Sequence, residues 1–321
     1  IQQNVNTQGG HLKWTRFMGA NQLTVAYLPS FGTTKGTTHN GNPNGLVVGS
    51  PTSDYSQKST NHTFFVENKY RVTDKTTLVG ALQYDKANRK VSDVAPTSGG
   101  IANNYDHDFS QWSPRLGFLH DVSSNQQIFG SVSRNFEAPI HGLAGSTTLA
   151  NKAQTGTTIE IGTRGSAVDG KNQYAWDATI YRSNLKNEFL AVCTVPGCNP
   201  VPTVNVPKSM HQGVELGLSH LYDRKIDSRM TLLYSDFKFV DDATSGNNAL
   251  PGFPPILLRA EVLYRFGTEV NGKPSFYAGP KLEWAPSKAP MDNANTLYND
   301  GYALLGFKVG QAIDKKWSWF A

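Results

Sequence analysis

Apolar residues recur at every second position along most of this chain and almost nowhere at the three-and-four spacing of an amphipathic helix, so the pattern predicts strands. Between Gln173 and Asn184, the residues Tyr174, Trp176, Ala178 and Ile180 alternate with Ala175, Asp177, Thr179 and Tyr181, setting an apolar row against a mostly polar one. Leu258, Ala260, Val262, Tyr264 and Phe266 stand in the same way against Arg259, Glu261 and Arg265. Phe276, Ala278, Pro280, Leu282 and Trp284 stand against Tyr277, Lys281 and Glu283. About fourteen such segments are predicted, roughly at 9–19, 22–33, 58–72, 76–92, 110–122, 126–140, 154–167, 173–192, 205–222, 226–240, 253–266, 274–290, 301–313 and 317–321.

Alternation alone does not separate a soluble sandwich from a membrane barrel, since each has one apolar and one polar face. Length separates them. Most segments exceed the ~9–11 residues that cross a bilayer at a tilt, whereas soluble strands usually have about five or six. The connections are also sorted. Gly19–Asn21, Thr73–Lys75, Ser123–Asn125, Asp169–Lys171, Asp223–Lys225, Thr268–Lys273 and Asp314–Lys316 read as tight turns. Between them, Thr34–Lys58, Ser92–Phe109, Ile140–Lys152, Val192–Asn205, Asp241–Gly252 and Lys288–Asp300 read as long polar loops. Short turns at one end and long loops at the other are the layout of an outer-membrane barrel, with the long loops outside the cell. By that layout both ends of the chain would point outward, and an interior piece of a longer barrel is the expectation. Alone, such a sheet would leave unpaired edges, which lipid does not tolerate.

Five stretches carry a family resemblance. Ser113–Leu143 (SPRLGFLHDVSSNQQIFGSVSRNFEAPIHGL) is a strand-turn-strand block ending in an aromatic residue and Ala-Pro. Thr157–Leu190 has the form E-x-G, W-x-x-x-x-Y, K-x-x-x of a following hairpin, and His211–Tyr222 supplies x-G-V-E-L. Leu250–Phe266 opens L-P-x-x-P, and Asn293–Ala321 has the character of penultimate strands. In this order they resemble the TonB-dependent outer-membrane receptors, plugged barrels of about 22 strands. The resemblance implies an all-β transmembrane antiparallel barrel in which residues 1–321 supply about 14 of the strands, with the plug domain absent from this sequence. It implies import of a ferric siderophore or similar scarce nutrient, energised by the TonB complex acting through that plug, with ligand collected at external loops. The alternative is a self-contained passive outer-membrane channel of about fourteen strands.

Composition sharpens this. Thirty basic against 25 acidic residues give a net charge of +5, too weak an excess to argue for nucleic acid. No apolar run approaches the ~18 residues of a membrane helix, and 16 Phe, 13 Tyr and 6 Trp spread along the chain argue against disorder.

The candidate chemistry is sparse. Asn104, Tyr105, Asp106, His107 and Asp108 form the most ligand-like cluster, on a predicted external loop, although alternation sets both aspartates on one side and His107 on the other. His39, Tyr55, His141 and Tyr298 fall on other predicted external loops. Of these, Tyr105, His107, His141 and Tyr298 are the ligand-binding candidates; no metal site or cofactor is expected. Cys193 and Cys198, the only cysteines, flank a Pro-Gly turn, and a disulfide there would remove about 2 kcal/mol of chain entropy; a metal pair or a nucleophile are the alternatives. Glu160, Arg164, Glu215 and Arg229 fall on the predicted lumen face, with Glu160 and Arg164 ~13 Å apart and therefore not a catalytic dyad. The aromatics Tyr174, Trp176, Tyr264, Phe266 and Trp284 are predicted to form interfacial girdles. No catalytic motif is present: GSAVDGKN and GTEVNGKP lack the Ser or Thr of a phosphate-binding loop and lead into predicted strands. No enzymatic activity is expected.

Overall fold

A computed structural model describes residues 2–41, 48–93, 104–139, 152–191, 203–270 and 272–321. The described residues form strands and connections with no helix. The first strands are β1 (Gln2–Gly9), β2 (Leu12–Met18), β3 (Asn21–Gly41), β4 (Val48–Arg71), β5 (Thr76–Asp93) and β6 (Tyr105–Ser123). Next come β7 (Gln126–Glu137), β8 (Gln154–Asp169), β9 (Asn172–Ala191), β10 (Thr203–Tyr222), β11 (Ile226–Phe239) and β12 (Ile256–Val270). The last are β13 (Lys273–Ala285), β14 (Ala289–Pro290), β15 (Tyr298–Asn299), β16 (Tyr302–Ala312) and β17 (Ser318–Phe320). All but the β14–β15 pair belong to one antiparallel meander of 15 strands, in which neighbours in sequence are neighbours in space.

β1 and β2 both pair with β3, so they are two halves of one interrupted strand. The break at Gly10 and His11 faces Pro29, whose carbonyl accepts the Gly10 N–H at 3.1 Å but which has no N–H to return. Counting the halves together leaves fourteen strands, the number read from alternation.

Register sorts the side chains. Tyr27, Phe64, Tyr84 and Trp112 are direct neighbours on one face across four strands. Tyr27 stacks on Phe64 at 4.7 Å between ring centroids, and Tyr84 packs against Trp112 at 4.6 Å. Ile161, Ile180, Val214 and Tyr234 continue that face, as do Leu258 beside Trp284 and Leu282 beside Leu305. It is bare of protein: Leu305 is 84% and Phe307 66% exposed. A contiguous apolar surface of this extent is untenable in water and fits hydrocarbon. The opposite face pairs Arg259 with Glu283, Glu261 with Lys281 and Glu160 with Tyr181.

The short connections are tight. Gly19 (φ 58°), Gly170 (φ 57°), Asp223 (φ 49°) and Arg224 (φ 57°) take the left-handed conformation that such reversals need. The Thr73 hydroxyl accepts from the Thr76 N–H at 3.0 Å, and the Asp314 carboxylate from that of Trp317 at 2.8 Å.

Several loop boundaries are corrected. Thr34–Lys58 is mostly strand, because β3 runs to Gly41 and β4 begins at Val48. β6 begins at Tyr105 rather than near Ser110, and β1 precedes the first predicted segment. These stretches lie beyond the apolar band, where both faces meet water. Alternation therefore vanishes while the backbone ladder continues.

Candidate functional site: the polar wall and its outer rim

The polar face of β6 carries Tyr105, His107 and Phe109 in sequence. Tyr105 stacks on His107 at 5.5 Å, and His107 meets Phe109 edge-on at 6.4 Å. Arg89 on β5 is the direct cross-strand partner of His107. It is buried, and its guanidinium donates to the carbonyls of Pro139 at 2.7 Å and Asn88 at 3.0 Å. Burial pushes the Arg89 guanidinium below and the Tyr105 phenol above their ordinary values, each partly offset by the other's charge. The sequence marked Tyr105 and His107 but passed over Arg89, one polar residue among several in an alternating strand.

Asp106 and Asp108 lie on the opposite face, as alternation requires. Asn88 donates to both, at 2.8 and 3.0 Å, and Lys90 pairs with Asp106 at 2.8 Å. The hydrogen bonds from Lys90 and Asn88 hold the Asp106 carboxyl below the usual range. The expected ligand-like cluster is thus divided between two faces of one strand.

Tyr55, expected on a loop, is a buried side chain of β4 that lies across Gly36 and accepts from Gln3 Nε2 at 2.6 Å. A Cβ on Gly36 would fall 2.5 Å from the Tyr55 hydroxyl. His39 is on β3, likewise not on a loop. Tyr298 is half exposed on β15, paired with Pro290, in a rim segment well separated from β6 in the strand order. His141, Cys193 and Cys198 lie outside the described residues.

The polar wall is laced with ion pairs. Glu160 takes Arg115 at 3.4 Å and the Ser131 hydroxyl at 2.8 Å. Asp227 receives Arg265 at 2.7 Å and Arg229 at 3.3 Å; Glu261 receives Lys308 at 3.1 Å; Glu283 receives Arg259 and the Tyr302 hydroxyl, each at 2.7 Å. Arg265 and Lys308 both approach the Tyr277 ring, at 5.5 and 5.8 Å. Arg164 pairs with the Gln127 side chain at 2.7 Å, away from Glu160.

One cluster had no sequence signal. At Asn187 (φ 55°) the β9 backbone departs from extended geometry, and Glu188 turns to the polar face, where it accepts from the Ser209 hydroxyl and pairs with His211 at 3.0 Å. His211 stacks on Phe237 at 4.4 Å, beside a small core of Val206, Phe239 and Leu250. With the carboxylate between the other two groups, the imidazole does not face the hydroxyl, so this is not the Ser-His-acid order of a nucleophile triad.

The outer rim near β11–β16 is tied together. Asn295 (φ 55°) accepts the Ala249 N–H at 2.8 Å and donates to the Ala249 carbonyl at 2.9 Å, while the Gly252 N–H reaches the Pro290 carbonyl at 2.8 Å. Asp292 closes the turn by accepting from the N–H groups of Leu297 and Thr296 and from the Thr296 hydroxyl, which together hold its carboxyl below the usual range.

The TonB dependent receptor-like β-barrel family matches residues 2–321. The chain belongs to that family. It is therefore an outer-membrane β-barrel chain of the Gram-negative type, from a family of receptors and transporters rather than enzymes. The apolar face is the lipid face and the polar face the lumen wall. Solved structures share the fold at low identity. The ferric citrate transporter FecA, unliganded, is 14% identical with a TM-score of 0.77, covering 96% of this chain and 47% of its own. The siderophore receptor PiuA from Acinetobacter baumannii is 17% identical with a TM-score of 0.76, covering 98% and 50%. The copper transporter OprC is 16% identical with a TM-score of 0.76, covering 98% and 49%. The chain thus spans about half the length of the solved structures it matches. No curated protein matches it in sequence.

Proposed function

We propose that this chain forms wall and outer vestibule of a receptor that binds a ferric siderophore or similar scarce nutrient at its outer rim and imports it with energy from TonB. The observation that carries this reading is a lumen wall of paired charges that rises, above the lipid band, into an aromatic rim of Tyr105 stacked on exposed His107, with the buried Arg89 guanidinium directly across from His107. Aromatic faces and a cation suit a ligand that is both flat and anionic. FecA and PiuA are named for ferric citrate and siderophore, OprC for copper, so the fold supports uptake of chelated or bound metal without choosing among them. The ion-paired groups on β11–β16 would meet a plug domain contributed by other residues, and the plug would carry the contact with TonB. The two edges of the sheet, β1/β2 and β17, would be closed by further strands, because an open edge in lipid leaves backbone groups unsatisfied.

The test is uptake by iron-starved cells expressing the full-length receptor, offered a panel of ferric chelates with and without TonB. Uptake of one chelate is expected only with TonB. An Arg89→Ala, Tyr105→Ala, His107→Ala variant is expected to weaken its binding about tenfold or more. Receptor-dependent uptake that persists without TonB would establish a passive channel instead.

A further inference from the structure

Just beyond the apolar band, the lipid-side face of four consecutive strands carries only basic charge. Arg134 on β7 stands two residues beyond Val132, and Arg182 on β9 two beyond Ile180; Lys186 on β9 and Lys208 on β10 follow. All four are exposed, and none makes an ion pair among the described residues. The other outward positions at this level are Phe136, Thr155, Thr157, Asn184, the buried Met210 and Gln212. Glu188, two residues past Lys186, is turned to the polar face and held by Ser209 and His211, and Asp236 on β11 is engaged by Gln212 at 2.8 Å and lies 3.8 Å from Lys238. The adjoining connections, 140–151 and 192–202, contain no Asp or Glu.

Lys186 and Lys208 are direct cross-strand partners. Like charges placed opposite one another destabilise a sheet, and a fold that keeps such a conflict usually uses it. A second lysine pair shows the difference. Lys58 and Lys90 also face each other, but Asp106 on the next strand pairs with Lys90 at 2.8 Å. Among the described residues no carboxylate pairs with Lys186 or Lys208 in this way.

We propose that this patch is a docking site for the phosphorylated headgroup of a glycolipid in the outer leaflet of the outer membrane. Position and charge both select that occupant. The patch adjoins the aliphatic row of Ile159, Ile161, Ile180 and Val214, so acyl chains can lie on the band while phosphates reach the lysines and arginines and sugar hydroxyls meet the threonine and amide side chains. The site rests on the family's membrane placement and not on which nutrient is imported.

The full-length receptor, extracted from outer membranes in mild detergent, is examined by native mass spectrometry for bound lipid. A quadruple Arg134→Gln, Arg182→Gln, Lys186→Gln, Lys208→Gln variant is the probe; Lys171→Gln, Arg224→Gln, Lys225→Gln, Lys316→Gln, at the opposite end of the strands, is the control of equal charge. Heat-dependent gel mobility verifies that each barrel is folded, and the pair Lys186→Gln, Lys208→Gln replaces the quadruple variant if it is not. Co-purifying phosphorylated glycolipid is expected to fall about a hundredfold in the quadruple variant and to stay unchanged in the control. Equal retention in both, or equal loss in both, overturns the proposal. Delipidated wild type should rebind the phosphorylated glycolipid and not its dephosphorylated form. Equal rebinding of the two, or displacement by inorganic phosphate at matching concentration, would also overturn it.

Discussion

The outer part of this wall is built in two ways. On one side β3 and β4, 21 and 24 residues long, carry the ladder far past the apolar band, holding Thr, Ser, Lys and Asn in register by backbone pairing. On the other, β12 and β13, 15 and 13 residues long, stop near the band, and the rim is made from segments 241–252 and 288–300 pinned by a few side chains. Tall strands spread their stability over many equivalent hydrogen bonds. The pinned segments concentrate it at Asn295 and Asp292, so single substitutions should act very differently on the two sides.

The largest effect is expected at Asn295. Replacing it with alanine removes its bonds to Ala249 and Asp292 and places a Cβ residue without its side-chain bonds at φ 55°, at a cost of about 2–3 kcal/mol to the local structure. Hydrogen exchange should speed up in 241–252 and 288–300 and stay unchanged in β3 and β4; exchange that rises equally on both sides would erase the distinction. Next comes Gly36→Ala, which must displace the Tyr55 ring and is expected to cost about 1–3 kcal/mol. Its exchange signature should be confined to β1, β3 and β4 around the Gln3–Tyr55 bond.

A smaller effect is expected from acid. Asp292 has a carboxyl held below its ordinary value, so its contribution is present above the unfolded value of about 3.9 and is lost as pH falls through the lower folded value. Exchange in 288–300 should be flat from neutral pH to about 4 once intrinsic rates are removed, then rise, and Asp292→Asn should abolish that rise. The smallest effect is expected at Lys90→Gln. Its pair with Asp106 is on the tall side and open to solvent, so barrel stability should not change measurably. A clear loss would mean that tall strands, too, depend on individual side chains.

The same contrast explains what could be read from the sequence. Within the band the two faces meet different solvents, so Tyr174, Trp176, Ala178 and Ile180 had to differ from Ala175, Asp177, Thr179 and Tyr181, and strand number and facing were legible. Above it both faces are wet. Thr33, Thr34, Lys35, Gly36 and Thr37 show no alternation, and the upper halves of β3 and β4 look like loop until their pairing is seen. The candidate site suffered likewise. Alternation separated His107 from its flanking aspartates correctly, but Arg89 becomes notable only through its position opposite His107, and Glu188 only through the turn at Asn187. Long-range register is the missing information, and local pattern does not contain it.

Pro29 gives the edge of the wall a mechanical character. Because it interrupts the ladder between Gly9 and Leu12, pulling on the outer end works against the eight residue pairs of β1 and stops there, leaving the seven pairs of β2 with their own separate closure. The seam behaves as two short zippers in series: force or a competing strand can open the upper one without unfastening the lower, membrane-embedded one.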